Sequence, residues 1–255
     1  MRHLLAALLL AFLAAPPARA GEVLDAIHAR GALRVGMTGD YKPFDFREPD
    51  GHYRGADVEM AQRLAHALGV RLEIVPTAWT SLAKDFQAGA FDVAMGGISI
   101  LPARRAIGPF TPPLRSDGKR PIARCADKER FTTIGAIDQP GVRVVVNPGA
   151  SNEAFAHEHF PHAQLTVHPD NATVFDEIIA GRADVMVTDG IEVDHQALIH
   201  PELCAADVAA PFTQGMQGYW VQPDPELLAA VDTWLGQERA SGEWDRLLAA
   251  AQKEP

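Results

Sequence analysis

The segment Ala183-Asp184-Val185-Met186-Val187-Thr188-Asp189-Gly190-Ile191-Glu192 ends in two carboxylates three residues apart, Asp189 and Glu192. Its apolar run reads as a buried strand, and open α/β sheets present their ligand-binding groups at the ends of such strands. One carboxylate is enough to grip a cationic ligand. A second is one acid more than binding requires, and a carboxyl kept protonated in an apolar pocket is a proton donor. Met186, Val187 and Ile191 supply an apolar surround, and Asp189 a like charge. The competing reading of Glu192 is a solvated acid at a helix start.

These groups have counterparts earlier in the chain. The stretch QAGAFDVAM, residues 87–95, is echoed by IAGRADVMV, residues 179–187. A period near ninety residues is too long for a solenoid, so two similar α/β units explain it better. The first echo runs into Gly96-Gly97-Ile98-Ser99 and then Arg104, which places Ser99 and Arg104 opposite Asp189 and Glu192.

Strand and helix signals alternate throughout, which argues for an α/β fold. Leu33–Met37, Leu72–Val75, Phe91–Met95 and Ala183–Val187 read as strands. Asp57 is expected to cap a helix carrying Val58, Ala61, Leu64, Ala65 and Leu68. Further helices are expected from Ser81 to Ala88 and, opened by Asn171, through Ala180, each stopped by a glycine. Crossings at Leu114–Ile122 and Pro211–Tyr219 divide the chain into one lobe of residues 21–115 and 216–255 and another of 120–211. Two crossings make a hinge around a cleft. The tail from Pro225 to Ala251 reads as helices returning to the first lobe.

Residues 1–20 combine basic Arg2, an apolar run from Leu4 to Ala15 and Ala18-Arg19-Ala20, the pattern of a cleaved export signal. The run is too short to span a bilayer. The formal charge of −10 becomes −12 without those residues. Such an acidic chain is a poor partner for nucleic acid or an anionic membrane, so any anionic ligand needs a local cationic cluster. Cys125 and Cys204 fit one disulfide in an oxidising compartment, with two unpaired buried thiols as the alternative. The ten histidines show no metal-ligand spacing, and His157, His159 and His162 read as a solvated face.

The organisation resembles a periplasmic solute-binding protein of the polar amino-acid type, family 3, with a type II two-lobed fold. TGDYKPF, PTAW, GISI followed by Arg104, DGK with Pro121-Ile122, NPGASNE, HPDNATVF, TDGIE and HPELC occur in order along it. Together these motifs resemble the periplasmic cyclohexadienyl dehydratases, enzymes that convert prephenate to phenylpyruvate and arogenate to phenylalanine. The resemblance implies Glu192 as general acid, with Lys119 and Asn152 in the catalytic set. It implies Arg104 for a substrate carboxylate and Trp79 as an aromatic wall, with Asp40, Ser99, Ser151 and Asp189 also at the substrate. Asp189 matches the position where amino-acid receptors hold a ligand ammonium. Gly96 departs from the wider family, which often has serine there.

The implied chemistry suits the residues. Expelling hydroxide from prephenate needs an acid, and general acid catalysis contributes about 10²–10⁴-fold. Arg104 offers a bidentate fork, Lys119 a point charge, and Ser151-Asn152 the start of a helix. No metal or organic cofactor is required. Each residue has a plainer reading: Lys119 as a surface lysine, Trp79 as core, Asn152 as a cap, Asp40 as a turn acid. The rival function is a non-catalytic amino-acid receptor of a membrane importer. Whether the chain is a homo-oligomer stays open.

Overall fold

The computed structural model describes residues 21–149 and 151–254; the expected export signal lies outside the described residues. Two separate sheets carry the architecture. The first orders its strands as Trp220–Val221, Val93–Ala94, Ala32–Met37 and Arg71–Pro76. Ala32–Met37 runs parallel to both of its neighbours, and Trp220–Val221 is antiparallel to Val93–Ala94. The second orders Gln164–Val167, Arg143–Val146, Val185–Asp189, Lys119–Arg124 and Leu203–Ala205. Its first three strands are parallel, whereas Lys119–Arg124 is antiparallel to Val185–Asp189 and to Leu203–Ala205.

The apolar runs have a simple cause. Val144, Val146, Val185 and Val187 face one core, while Val145, Met186 and Ile122 face another. A strand covered on both faces needs apolar residues at consecutive positions, not alternate ones. The first sheet is covered by Met60, Ala61 and Leu64 from the helix Ala56–Ala67, and by Leu227, Val231, Trp234 and Leu235 from the helix Pro225–Ala240. The last helix, Glu243–Ala251, joins the same core through Trp244. The tail also reaches the second unit, where Gln252 Nε2 donates to the Ile191 carbonyl at 3.2 Å.

The echo is built in three dimensions. Asp92 accepts from the main-chain N–H of Arg34 at 2.8 Å, and Asp184 accepts from that of Arg143 at 2.9 Å. Each aspartate also holds the arginine's guanidinium. The helices before them, Leu82–Gln87 and Val174–Ile179, are followed by Gly89 and Gly181 at φ 66° and 72°. Only glycine turns a helix end that way at little cost.

Two local expectations fail for the same reason. Asp57 sits inside its helix, not at its cap, and is buried. Its carboxylate accepts from Gly96 and Gly97 N–H at 3.0 Å each and from the Tyr219 hydroxyl at 2.8 Å. Burial lifts it to about 6, against those hydrogen bonds. Asn171 does not open a helix either: the helix begins at Val174, and the Asn171 amide reaches the Asp40 carbonyl at 2.9 Å. In both, a tertiary partner outbids the local cap.

The chain passes between the two sheets twice. Those passages, Arg115–Asp117 and Gly215–Gln217, pair as an antiparallel ribbon. Cys125 and Cys204 are joined by a disulfide, with Cα atoms 4.7 Å apart.

Candidate active site

The antiparallel register of the second sheet sets Lys119 directly opposite Asp189. Side chains so paired share a face of the sheet and meet. Lys119 Nζ donates to Asp189 Oδ1 at 2.7 Å and to Ser151 Oγ at 2.9 Å, and also to Asn152 Oδ1. Asp189 Oδ2 accepts from the Tyr41 hydroxyl at 2.6 Å and from Gln217 Nε2 at 3.2 Å. Burial pushes Asp189 upward, but the charge and hydrogen bond of Lys119, with Tyr41 and Arg115, hold it below the ordinary carboxylate range. The same buried carboxylate, after burial itself, pushes the Tyr41 phenol well above its usual value.

The chain leaves that strand straight into the helix Gly190–Ile199, which carries Glu192 in its first turn. Asp117 pins the helix start: its carboxylate accepts from Gly190 N at 3.1 Å and Ile191 N at 3.0 Å. A borrowed acid thus satisfies N–H groups that a helix leaves unpaired at its first turn. Glu192 is only 2% exposed. Thr188, one turn earlier, donates to its Oε2. Burial raises Glu192 to about 8; Asp189 adds to the rise, while the Thr188 hydrogen bond and Lys119 oppose it. Glu192 is therefore mainly a protonated acid at neutral pH.

Glu192 lines a narrow void of about 20 Å³ between the two sheets, well below the usual volume of a small-molecule site. Its walls bring together Trp79, Ser99 and Arg104 from the first unit with Ser151, Asn152, Asp189 and Glu192 from the second. Arg104 donates from one guanidinium nitrogen to the Ser99 carbonyl at 3.0 Å. Burial lowers it to about 10, partly offset by Asp189, so it stays a cation. Trp79 meets the Tyr41 ring edge-on, with centroids 5.7 Å apart. Asn152 Nδ2 donates to Asn147 at 3.0 Å and to Thr188 at 2.9 Å, linking the Lys119 cluster to the residue that holds Glu192.

Two expected residues stand differently from their sequence reading. Asp40 is not in the wall of the void; it accepts the Trp79 indole N–H at 2.9 Å and lines a separate, wider hollow with Lys42 and Asn171. Asp189, expected from the resemblance to match a ligand-ammonium position, is paired instead with the chain's own Lys119 ammonium. Three polar wall residues were not named as site residues from sequence: Tyr41, Asn147 and Asn171. All three lie inside the motifs GDYKPF, NPGASNE and HPDNATVF, which was the available signal.

A family model for bacterial extracellular solute-binding proteins, family 3, matches residues 33–251. The chain belongs to that family. It is 47% identical over 243 residues to the cyclohexadienyl dehydratase of Pseudomonas aeruginosa, covering 94% of this chain and 91% of that protein. Among solved structures, an ancestral amino acid-binding protein, a precursor of cyclohexadienyl dehydratase, superposes with a TM-score of 0.84 at 35% identity, covering 91% of this chain and 100% of its own. An ancestral cyclohexadienyl dehydratase superposes with a TM-score of 0.56 at 45% identity, covering 91% of this chain and 96% of its own. The fold is that of family 3, two α/β units with a ligand void between them.

Proposed function

We propose that this protein is a lyase that dehydrates and decarboxylates prephenate to phenylpyruvate and arogenate to phenylalanine. The observation that carries the reading is Glu192: a buried carboxyl raised to about 8, lining the same void as the Arg104 cation. A receptor needs no buried proton donor, and its ammonium site at Asp189 is here filled by Lys119, Tyr41 and Gln217. The 47% identical Pseudomonas relative bears the same activity in its name.

In this mechanism Arg104 holds a substrate carboxylate, and Trp79 lies beside the ring, its indole N–H held by Asp40. Glu192 gives its proton to the departing ring hydroxyl. The C–O bond breaks to release water, the carboxylate at the opposite ring carbon leaves as carbon dioxide, and its bonding pair completes the aromatic ring. Glu192 is left as a carboxylate and regains a proton from solvent. Lys119, held by Asp189, Ser151 and Asn152, places a fixed positive charge at the site, favouring a second carboxylate and limiting the rise of Glu192. Orientation of the departing carboxylate perpendicular to the ring is the remaining contribution of the residues around the void.

Residues 1–20 are read as a cleaved export signal and the mature protein as periplasmic, which agrees with an extracellular solute-binding family. Among the described residues no helix is long and apolar enough to cross a membrane. Residues 21–115 with 216–255, and 120–211, act as two lobes about the paired ribbon. Mature protein mixed with prephenate should generate phenylpyruvate, read by its absorbance in alkali. No turnover, with tight amino-acid binding by calorimetry, would establish the receptor instead.

A further inference from the structure

Glu192 must protonate an oxygen that already carries a hydrogen. The ring hydroxyl has to turn a lone pair toward Glu192, so its own O–H must find an acceptor elsewhere. Most carboxylate and amide oxygens around the void are already engaged. Asp189 accepts from Lys119 through one oxygen and from Tyr41 and Gln217 through the other. Asn147 Oδ1 accepts from Asn152, Asn152 Oδ1 from Lys119, and Glu192 Oε2 from Thr188.

Asn171 differs. It is 7% exposed and lines the void, and its Oδ1 is buried with no partner. Its orientation is fixed, because Nδ2 donates to the Asp40 carbonyl at 2.9 Å and an amide oxygen cannot serve that acceptor. A buried amide oxygen left without a donor is costly, and its persistence asks for an explanation such as a bound donor. Asp40 belongs to the first unit and Asn171 to the second, so the amide is held this way only where the two units meet as they do here.

We propose that Asn171 orients the leaving group: its Oδ1 accepts the O–H of the substrate's ring hydroxyl and so turns a lone pair of that oxygen toward Glu192. This rests on the dehydratase reading. The proton then passes from Glu192 to the hydroxyl oxygen, the C–O bonding pair leaves with water, and Asn171 keeps its hydrogen bond to that water throughout.

The test is Asn171→Leu in the mature protein, assayed beside wild type on prephenate and on arogenate. Both substrates carry the ring hydroxyl, so kcat should fall at least about tenfold on both, the scale of an impaired general-acid step. KM should change less than kcat, staying within about threefold, because the bond acts mainly by aiming the hydroxyl lone pair for proton transfer while Arg104 still holds the substrate. Unchanged kcat on both would overturn the proposal. A loss confined to arogenate would overturn it too, by making Asn171 a holder of the ammonium. Asn171→Ser, smaller and able to keep a bond to Asp40, gives the same reading if the leucine variant does not fold. Absence of turnover in wild type would sink the dehydratase reading itself, whereas wild-type turnover with an unimpaired variant sinks only the role of Asn171.

Discussion

Lys119 and Asp189 face one another across an antiparallel strand pair, and their charged ends meet at 2.7 Å beside Glu192. The pair holds opposing influences on that acid: Asp189 raises it and Lys119 lowers it. Asp189→Asn removes the raising charge and leaves the lowering one, so Glu192 should ionise below about 8. The alkaline fall in kcat then moves to lower pH. Lys119→Met does the reverse and moves it higher. Both variants break a buried ion pair, at a cost of about 3–5 kcal/mol in urea unfolding. A pH profile whose alkaline limb stays in place in both variants would separate Glu192 from the pair.

Glu192→Gln keeps the shape of the acid and removes its proton. Its kcat should drop at least about tenfold, the lower reach of what a general acid supplies. Its stability should respond in the opposite sense. Folded Glu192 holds its proton to about 8, while the unfolded side chain releases it near the ordinary 4.5. Between those values the folded state resists ionisation, so wild type loses stability as pH rises, by at most about 1.4 kcal/mol per pH unit. Below that window both states are protonated, and above it the difference is constant. Asp57, raised to about 6, contributes to the same slope in both proteins and cancels in the comparison. Thermal melts of wild type and variant from pH 4.5 to 8.5 should therefore diverge upward in favour of the variant.

The fold was legible because its strands are apolar on both faces and its repeated units end in the same Gly-containing turn, as Gly89 and Gly181 do. Strand ends were less so: Phe91–Met95 shrinks to Val93–Ala94, the two residues that pair with Trp220–Val221 on one side and Val35–Gly36 on the other. Glu192 could be named from TDGIE, but its burial depends on the helix turning back beneath Asp117, which lies 75 residues earlier. Lys119 carried two readings, a catalytic lysine by resemblance and a surface lysine in a polar turn, and its burial became visible only in the register with Asp189. Asn171 and Asp57 have the residue types of helix caps, and sequence alone assigns caps by local preference. Their actual partners, the Asp40 carbonyl and the Gly96-Gly97 turn, belong to distant segments.

The disulfide should act on stability and leave catalysis alone. Cys125 and Cys204 are 79 residues apart, and neither lines the void. Closing a loop of that length stabilises by roughly 4 kcal/mol on the chain-entropy model. Replacing both cysteines with serine should lower the urea midpoint accordingly while kcat at 25 °C stays at the wild-type value. A matching loss of kcat would tie the staple to the geometry of the site.

The occupation of Asp189 also bears on which substrate is preferred. Prephenate ends in a keto acid and brings no cation, whereas arogenate brings an ammonium that wants a carboxylate. The carboxylate in the void that would suit it already holds Lys119, Tyr41 and Gln217. A charged donor denied its charged acceptor forfeits roughly 1.5–3 kcal/mol, which corresponds to about a tenfold or larger difference in affinity. Prephenate should therefore show the higher kcat/KM, with the difference mostly in KM. Lys119→Met vacates Asp189 and restores an acceptor for the ammonium. In that variant the ratio of kcat/KM for prephenate over arogenate should shrink even as both rates fall. A ratio unchanged by the substitution would mean that arogenate's ammonium lies away from Asp189.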